Sequence, residues 1–238
     1  MWVKAPRSIG TERESSLHAE LKYLYAGAHG KVEVPLGPYV CDVHNEYGEI
    51  IEIQTGSFGP LKDKVAYLID RGPLKIVHPI HTLRRIELYD PAGVLLYRRK
   101  SPRRGTIWDL FSSLVYAPRL PLLPNLSVEL VLLEILEKRV QDGKGSWRRR
   151  GISLGDKKIV ERQGELLLRS PQDYGCFAPF EYDEPFTVKD LAQKARISPA
   201  IAGKTVYVLS ILGTIDRQGK RNNAWVYRRN REPSVKGG

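Results

Sequence analysis

Cysteine is scarce in this chain: two residues, Cys41 and Cys176, stand far apart in 238. There is no CxxC pair and no Cys/His group with the spacing of zinc ligands, which excludes zinc ribbons and fingers and any disulfide framework. Two small thiols suit a reducing compartment. Long hydrophobic runs are missing as well. No apolar stretch reaches bilayer-spanning length, and the first ten residues lack the apolar core of a signal peptide. The expectation is a cytoplasmic protein with no membrane contact. Internal repeats and low-complexity tracts are absent, which excludes solenoids and propellers. Acidic residues are in deficit, 27 against 38 Lys and Arg, for a formal net charge of +11.

What is present describes an ordinary globular protein, with 42% hydrophobic and 27% charged residues. The length suits one large domain or two small ones. The positive surplus favours a polyanionic partner, because neutralising phosphates releases their counterions.

Periodicity gives a coarse element order. Residues 11–25 read as an amphipathic helix, with Leu17, Leu21 and Leu24 near one face. Thr11 and Glu14 have capping-box spacing, and Gly27 and Gly30 end the helix. Val32 and Val34 alternate with charged residues, Tyr39–Val43 forms a second short run, and Tyr47-Gly48 marks a turn. Ile50, Ile51 and Ile53 make a β-branched strand. Leu61–Asp70 reads as a helix and Lys75–Pro79 as a strand. Ile86–Tyr89 and Val94–Tyr97 suit a hairpin across Asp90-Pro91-Ala92-Gly93. Arg98–Gly105 reads as a basic loop and Trp108–Val115 as a short helix. Ser127 would cap a long helix over Val128–Val140.

Asp42 ends one strand, and Glu52 and Gln54 share a face of the next, since side chains two apart point the same way. Two strand carboxylates offer hard oxygen ligands for Mg²⁺ or Mn²⁺, and the Ile53 carbonyl would add another. Such an ion activates water and stabilises charge on a phosphate. His18, one turn after Glu14, would face the same cleft. Glu20 is the rival helix carboxylate. The loop Thr55–Gly59 would offer N–H groups to a phosphate, and His78 and His81 bracket Pro79 and Ile80 as a weaker metal pair.

Glu14, Asp42 and the run Glu52-Ile53-Gln54 resemble the PD-(D/E)XK nuclease superfamily, over the first third to half of the chain. The resemblance implies a restriction-endonuclease-like core: a helix, a hairpin-like strand set, a second helix and a further strand. It implies metal ligation by Asp42, Glu52, the Ile53 carbonyl and Glu14. The chain departs from the family at two places. Gln54 stands where the motif has lysine and cannot carry its charge, so Lys64 on the following helix, with Lys62 nearby, is the expected substitute. Cys41 stands where the motif has proline.

The last third has its own pattern. Thr187 would cap a helix over Val188–Ala195, and Ser198 would cap a second, with Pro199 in its first turn, running to about Leu212. Thr214–Arg217 and Ala224–Tyr227 read as strands joined by the basic turn Gln218–Asn223. Helix, helix and hairpin resemble a winged helix-turn-helix, with Val206, Leu209 and Leu212 in its core, Lys204 and Tyr207 toward DNA, and Lys220 and Arg221 on the wing. Arg98, Arg99, Lys100, Arg103 and Arg104 form one phosphate-binding cluster, and Arg148, Arg149 and Arg150 form another, beside Trp147, which would stack on a base or sugar.

The sequence thus leads to an α/β protein: a mixed-sheet nuclease-like domain over 1–125, a helical and basic connector over 126–180, and a winged-helix domain over 181–232. The expected function is metal-dependent DNA endonucleolysis in repair or defence, on double-stranded or structured DNA, with a homodimer left open. The alternatives are a catalytically inactive nuclease-fold DNA-binding protein or regulator, and an enzyme acting on RNA.

Overall fold

Two units interleave along the sequence, so neither is one continuous stretch of chain. The structure, a computed structural model, describes residues 16–232. Of the described residues, the first unit takes 16–53, Pro79–Thr106 and Val131–Glu165; the second takes Gln54–His78, Ile107–Leu130 and 166–232.

In the first unit, α1 (Ser16–Ala26) precedes β1 (Lys31–Leu36), β2 (Tyr39–His44) and β3 (Ile50–Ile53). The helix buries Leu17, Leu21, Lys22 and Ala26, while Leu24, expected on that face, is half exposed. The observed stripe therefore turns toward the Lys22 side. Gly27 ends α1 at a φ of +67°, a conformation that carries little cost without a Cβ. β1 and β2 pair as an antiparallel hairpin. All four residues of β3 are buried, as suits a strand covered on both faces. The sheet order is β1-β2-β3, then β4 (Leu74–Tyr89), β6 (Leu126–Val140) and β7 (Ser153–Leu168), with β4 also pairing β5 (Leu95–Lys100).

Three expectations change here. Lys75–Pro79 and Ile86–Tyr89 are not separate strands but parts of the 16-residue β4, which begins in the second unit and continues through Pro79 in the first. Arg98–Lys100 belong to β5 rather than to a loop, because Arg98, Arg99 and Lys100 stand in register opposite Glu87, Ile86 and Arg85. The helix expected over Val128–Val140, and with it the helical character of the connector, is replaced by β6 (Leu126–Val140) and β7 (Ser153–Leu168), both strands. Leucine and glutamate favour a helix intrinsically. Here β6 lies between β4 and β7, and its residues from Val128 to Val131 are all buried. Burial of a central strand outweighs a preference of a few tenths of a kcal/mol per residue. Its buried glutamates are compensated: Glu129 by Lys75, Glu134 by Arg85, and Glu137 by Arg84 and Arg139.

In the second unit, α2 (Lys62–Leu68) follows one turn of 3₁₀ helix, and α3 (Leu110–Leu114) follows another. Phe111 and Phe177 meet edge to face at 4.8 Å, with Trp108 5.3 Å from Phe177. β8 (Phe186–Thr187), α4 (Val188–Lys194), α5 (Pro199–Ile211), β9 (Ile215–Arg221) and β10 (Ala224–Arg229) complete it. Their local chemistry matches the sequence reading. Thr187 and Asp190 form a reciprocal capping box, Ser198 caps α5, and Pro199 occupies its first turn. Val206, Leu209 and Leu212 are buried. The three strands lie in the order β8-β10-β9. The turn is tighter than expected: β9 runs to Arg221, opposite Ala224, and only Asn222 and Asn223 turn, at φ +46° and +64°. Asparagine tolerates this left-handed pair. Among the described residues no helix is long and apolar enough to cross a membrane.

Candidate active site

Strand alternation on β2 buries Cys41 and Val43 and turns Asp42 to the other face, half-buried. The neighbouring β3 carries Glu52, 2% exposed. Two bonds tie the strands through these side chains. The Ile53 N–H donates to Asp42 Oδ2 at 2.8 Å, and the Asp42 N–H donates to Glu52 Oε1 at 3.4 Å. Each of the two carboxylates singled out in the sequence therefore holds the other's strand through a backbone N–H.

Helix α1 adds two groups, one turn apart on one face. His18 Nε2 lies 3.1 Å from the Ile53 carbonyl and 3.4 Å from Asp42 Oδ2. A carbonyl only accepts, so Nε2 carries the hydrogen. Lys22 Nζ stands 3.6 Å from Asp42 Oδ1 and 3.1 Å from Glu33 Oε1, with its side chain 8% exposed. Glu33 is held at φ +54°, a strained conformation for a residue with a side chain. A buried ammonium needs a carboxylate partner to offset its desolvation, and Asp42 and Glu33 serve Lys22. His18 is visible in the sequence. Lys22 is not; its only signal is its place four residues after His18.

Glu14 lies outside the described residues. Gln54 and Lys64 belong to the second unit. The Gln54 side-chain amide donates to the Ser57 carbonyl, and its backbone carbonyl accepts from His78 Nδ1. Burial lowers the pKa of His78, against the opposing pull of that carbonyl. His78 also packs edge-on against Phe58, with ring centres 5.2 Å apart. Lys64 lies on α2, half-buried. Glu20, the rival carboxylate, accepts the Ile159 N–H at 2.9 Å.

Carboxylate and carbonyl oxygens are the ligand type that a hard divalent cation of the Mg²⁺ kind takes, commonly one or two carboxylates and water. Asp42 and Glu52 would hold it, with the Ile53 carbonyl beside them. Among the described residues no three His, Cys, Asp or Glu side chains gather into a metal cage. A cation entering here meets Lys22 already opposite Asp42.

The basic residues are distributed over both units. In the first, Arg98, Arg99 and Lys100 line exposed β5, and Arg103 and Arg104 follow it, also exposed. Trp147 is 84% exposed, with the Arg148 guanidinium 5.8 Å from its ring, and Arg149 and Arg150 are exposed beside it. In the second unit, Tyr207 is exposed on α5 and Lys204 half-buried one turn earlier. Arg221 Nη2 donates to Asp190 Oδ2 at 2.9 Å, and Lys220 lies over the Trp225 ring at 4.7 Å, with Arg217 at 4.0 Å. Trp225 and Arg217 have no distinguishing sequence signal beyond strand alternation.

Residues 15–169 match a family model described as a domain of unknown function, DUF8091. The chain belongs to the DUF8091 family. Its matched region includes the Asp42 cluster and the arginines of β5, whereas α4, α5 and the β9–β10 hairpin follow it. An uncharacterized protein of Treponema pallidum (strain Nichols) is 28% identical over 186 residues, covering 78% of this chain and 74% of that one. No solved structure matches.

Proposed function

We propose that this DUF8091 protein is a DNA-acting phosphodiesterase of the PD-(D/E)XK type, with Asp42 and Glu52 at its reaction centre. The observation that carries the reading is the pair of bonds by which each of these carboxylates accepts a backbone N–H of the other's strand, across neighbouring β2 and β3. The order α1-β1-β2-β3-α2-β4 supports it, being the helix, strand set, helix and strand that the resemblance implies. A bound Mg²⁺ or Mn²⁺ would supply an activated water and charge stabilisation at the scissile phosphate. Asp42 and Glu52 fix their oxygens through each other's backbone. His18 orients the Ile53 carbonyl. Lys22 brings the positive charge that Gln54 lacks, close to where a phosphate would approach. The basic surfaces supply affinity for the phosphate backbone. In the second unit, the run β8-α4-α5-β9-β10 resembles a winged helix-turn-helix, with α5 as its recognition helix and Lys204 and Tyr207 on it.

A second reading has its own observation. Lys22 already offsets the charge of Asp42, with His18 Nε2 beside it, which suits a nuclease-like core that binds DNA without cutting it. One experiment separates the two. Duplex, single-stranded, mismatched and branched DNA, and an RNA duplex, are incubated with the protein in Mg²⁺, in Mn²⁺ and in chelator. Metal-dependent cleavage that Asp42→Asn abolishes supports the enzyme. Binding without cleavage of any substrate supports the silent scaffold.

A further inference from the structure

Because β5 continues through Lys100, its basic residues divide between two faces of the sheet. Arg98 stands opposite Glu87 and Lys100 opposite Arg85 in the antiparallel register. Paired residues and residues two apart share a face, so Arg85, Glu87, Arg98 and Lys100 lie together and Arg99 points the other way. Ile86, the partner of Arg99, is buried. A cavity of about 350 Å³ opens here, lined by Arg85, Ile86, Glu87, Arg98, Arg99, Lys100 and Leu136.

The two arginines are held in the same way. Arg98 Nε donates to Glu87 Oε1 at 2.8 Å, and Arg85 Nε donates to Glu134 Oε1. Both glutamates are buried, whereas the Arg85 and Arg98 side chains are 51% and 70% exposed. Each of these bonds runs through Nε, so neither uses the Nη groups. Tyr89 adds its hydroxyl to Glu87 Oε2 at 2.7 Å. That bond, with the Arg98 pair, holds the Glu87 carboxyl below the usual range and hence ionised. An arginine pinned at Nε has lost much of its rotamer freedom before a ligand arrives and still offers a planar pair of donors matched to phosphate oxygens.

We propose that this face of the β4–β5 hairpin is a phosphate-binding site, in which Arg85 and Arg98 present their Nη groups to backbone phosphates of a nucleic acid and Lys100 adds charge. Glu134 and Glu87 are positioning residues: they aim the guanidinium groups and do not touch the ligand. The inference rests on the reading that the protein binds nucleic acid. It adds Arg85 and both glutamates to that surface.

The test uses the full chain and a labelled DNA duplex of random sequence, with anisotropy measured over a salt series. Arg85→Gln with Arg98→Gln should weaken binding at least about tenfold and make the salt slope shallower by about 0.9 for each phosphate no longer neutralised. An unchanged slope overturns the site. Glu87→Gln with Glu134→Gln raises the net charge by two, so charge alone predicts tighter binding. Positioning predicts several-fold weaker binding, and tighter or unchanged binding overturns that role. Should the glutamate pair fail to fold, Arg85→Lys serves instead: it keeps the charge, loses the fork, and should retain the slope while losing affinity; unchanged affinity overturns the fork. A second arm measures thermal stabilisation by inorganic phosphate. If the wild-type protein binds no duplex but is stabilised by phosphate, and the double arginine variant is not, nucleic-acid binding fails and the phosphate site stands. No response of the wild type in either arm overturns it.

Discussion

The Lys22 ammonium stands 3.6 Å from Asp42 Oδ1 and is almost wholly buried. It is a positive charge brought to Asp42 by a helix rather than by the position just after β3 where Gln54 stands. Lys22→Met should reduce cleavage by on the order of 100-fold, as expected for loss of one charged group acting on a developing oxyanion. It should also lower stability by on the order of 1–3 kcal/mol, because Asp42 and Glu33 lose a buried partner. Lys64→Ala is the comparison. Single-turnover cleavage and thermal melting of both variants decide between them: a loss confined to Lys64→Ala would return the role to α2.

Asp42→Asn keeps the shape of the side chain and removes its charge. Cleavage should fall to background, while DNA affinity stays equal or rises, since removing one negative charge from the site lessens its repulsion of phosphate. Cleavage gels and anisotropy on the same preparation read both quantities. Weaker binding together with abolished cleavage would mean that the cluster holds the fold together and is not a reaction centre.

His78 gives a dependence of stability on pH. Burial lowers its pKa from the ordinary value of 6.5, so the unfolded chain takes up a proton where the folded chain does not. Stability is then complete above about pH 6.5 and declines as pH falls from there toward the lower folded value. Chemical denaturation at a series of pH values should show this slope in the wild type. In His78→Gln the slope should flatten in that window. An unchanged slope would assign it to other groups.

How much of this is legible in the sequence follows from the range of the forces involved. The α1 to α2 order, the convergence of Asp42 and Glu52, and the caps Thr187 and Ser198 depend on residues near one another or on strict alternation, and all are readable. β6 is not: Leu-Glu-rich sequence favours a helix locally, and only its place between β4 and β7, with Arg84 and Arg85 opposite Glu137 and Glu134, makes it a strand. The same holds for Lys22. Its pairing with Glu33 and Asp42 is set by how α1 packs on the hairpin, which no local pattern encodes. The interleaving of the two units is hidden for the same reason.

That interleaving decides how the C-terminal residues are to be tested. Residues 166–232 share a unit with 54–78 and 107–130, and Phe177 packs on Phe111 within it. Deleting everything after residue 180 would strip α4 and α5 from this core, so a loss of binding would report unfolding. Point substitutions avoid this. Lys220 is exposed on the β9–β10 hairpin, and Lys220→Ala should weaken DNA binding alike for all sequences, with a salt slope shallower by about 0.9. Arg221 is exposed too but spends a donor on Asp190, whose carboxylate also serves the Thr187 cap. Arg221→Ala should therefore lower the melting temperature slightly and leave the slope nearly unchanged. Lys204 lies on α5, one turn from the exposed Tyr207. If α5 enters the major groove, Lys204→Ala should change which sequences are preferred, measured by selection from a randomised duplex pool. A uniform loss across the pool would assign Lys204 to the phosphate backbone, and no loss from either Lys204→Ala or Lys220→Ala would reassign this hairpin and helix to a protein partner.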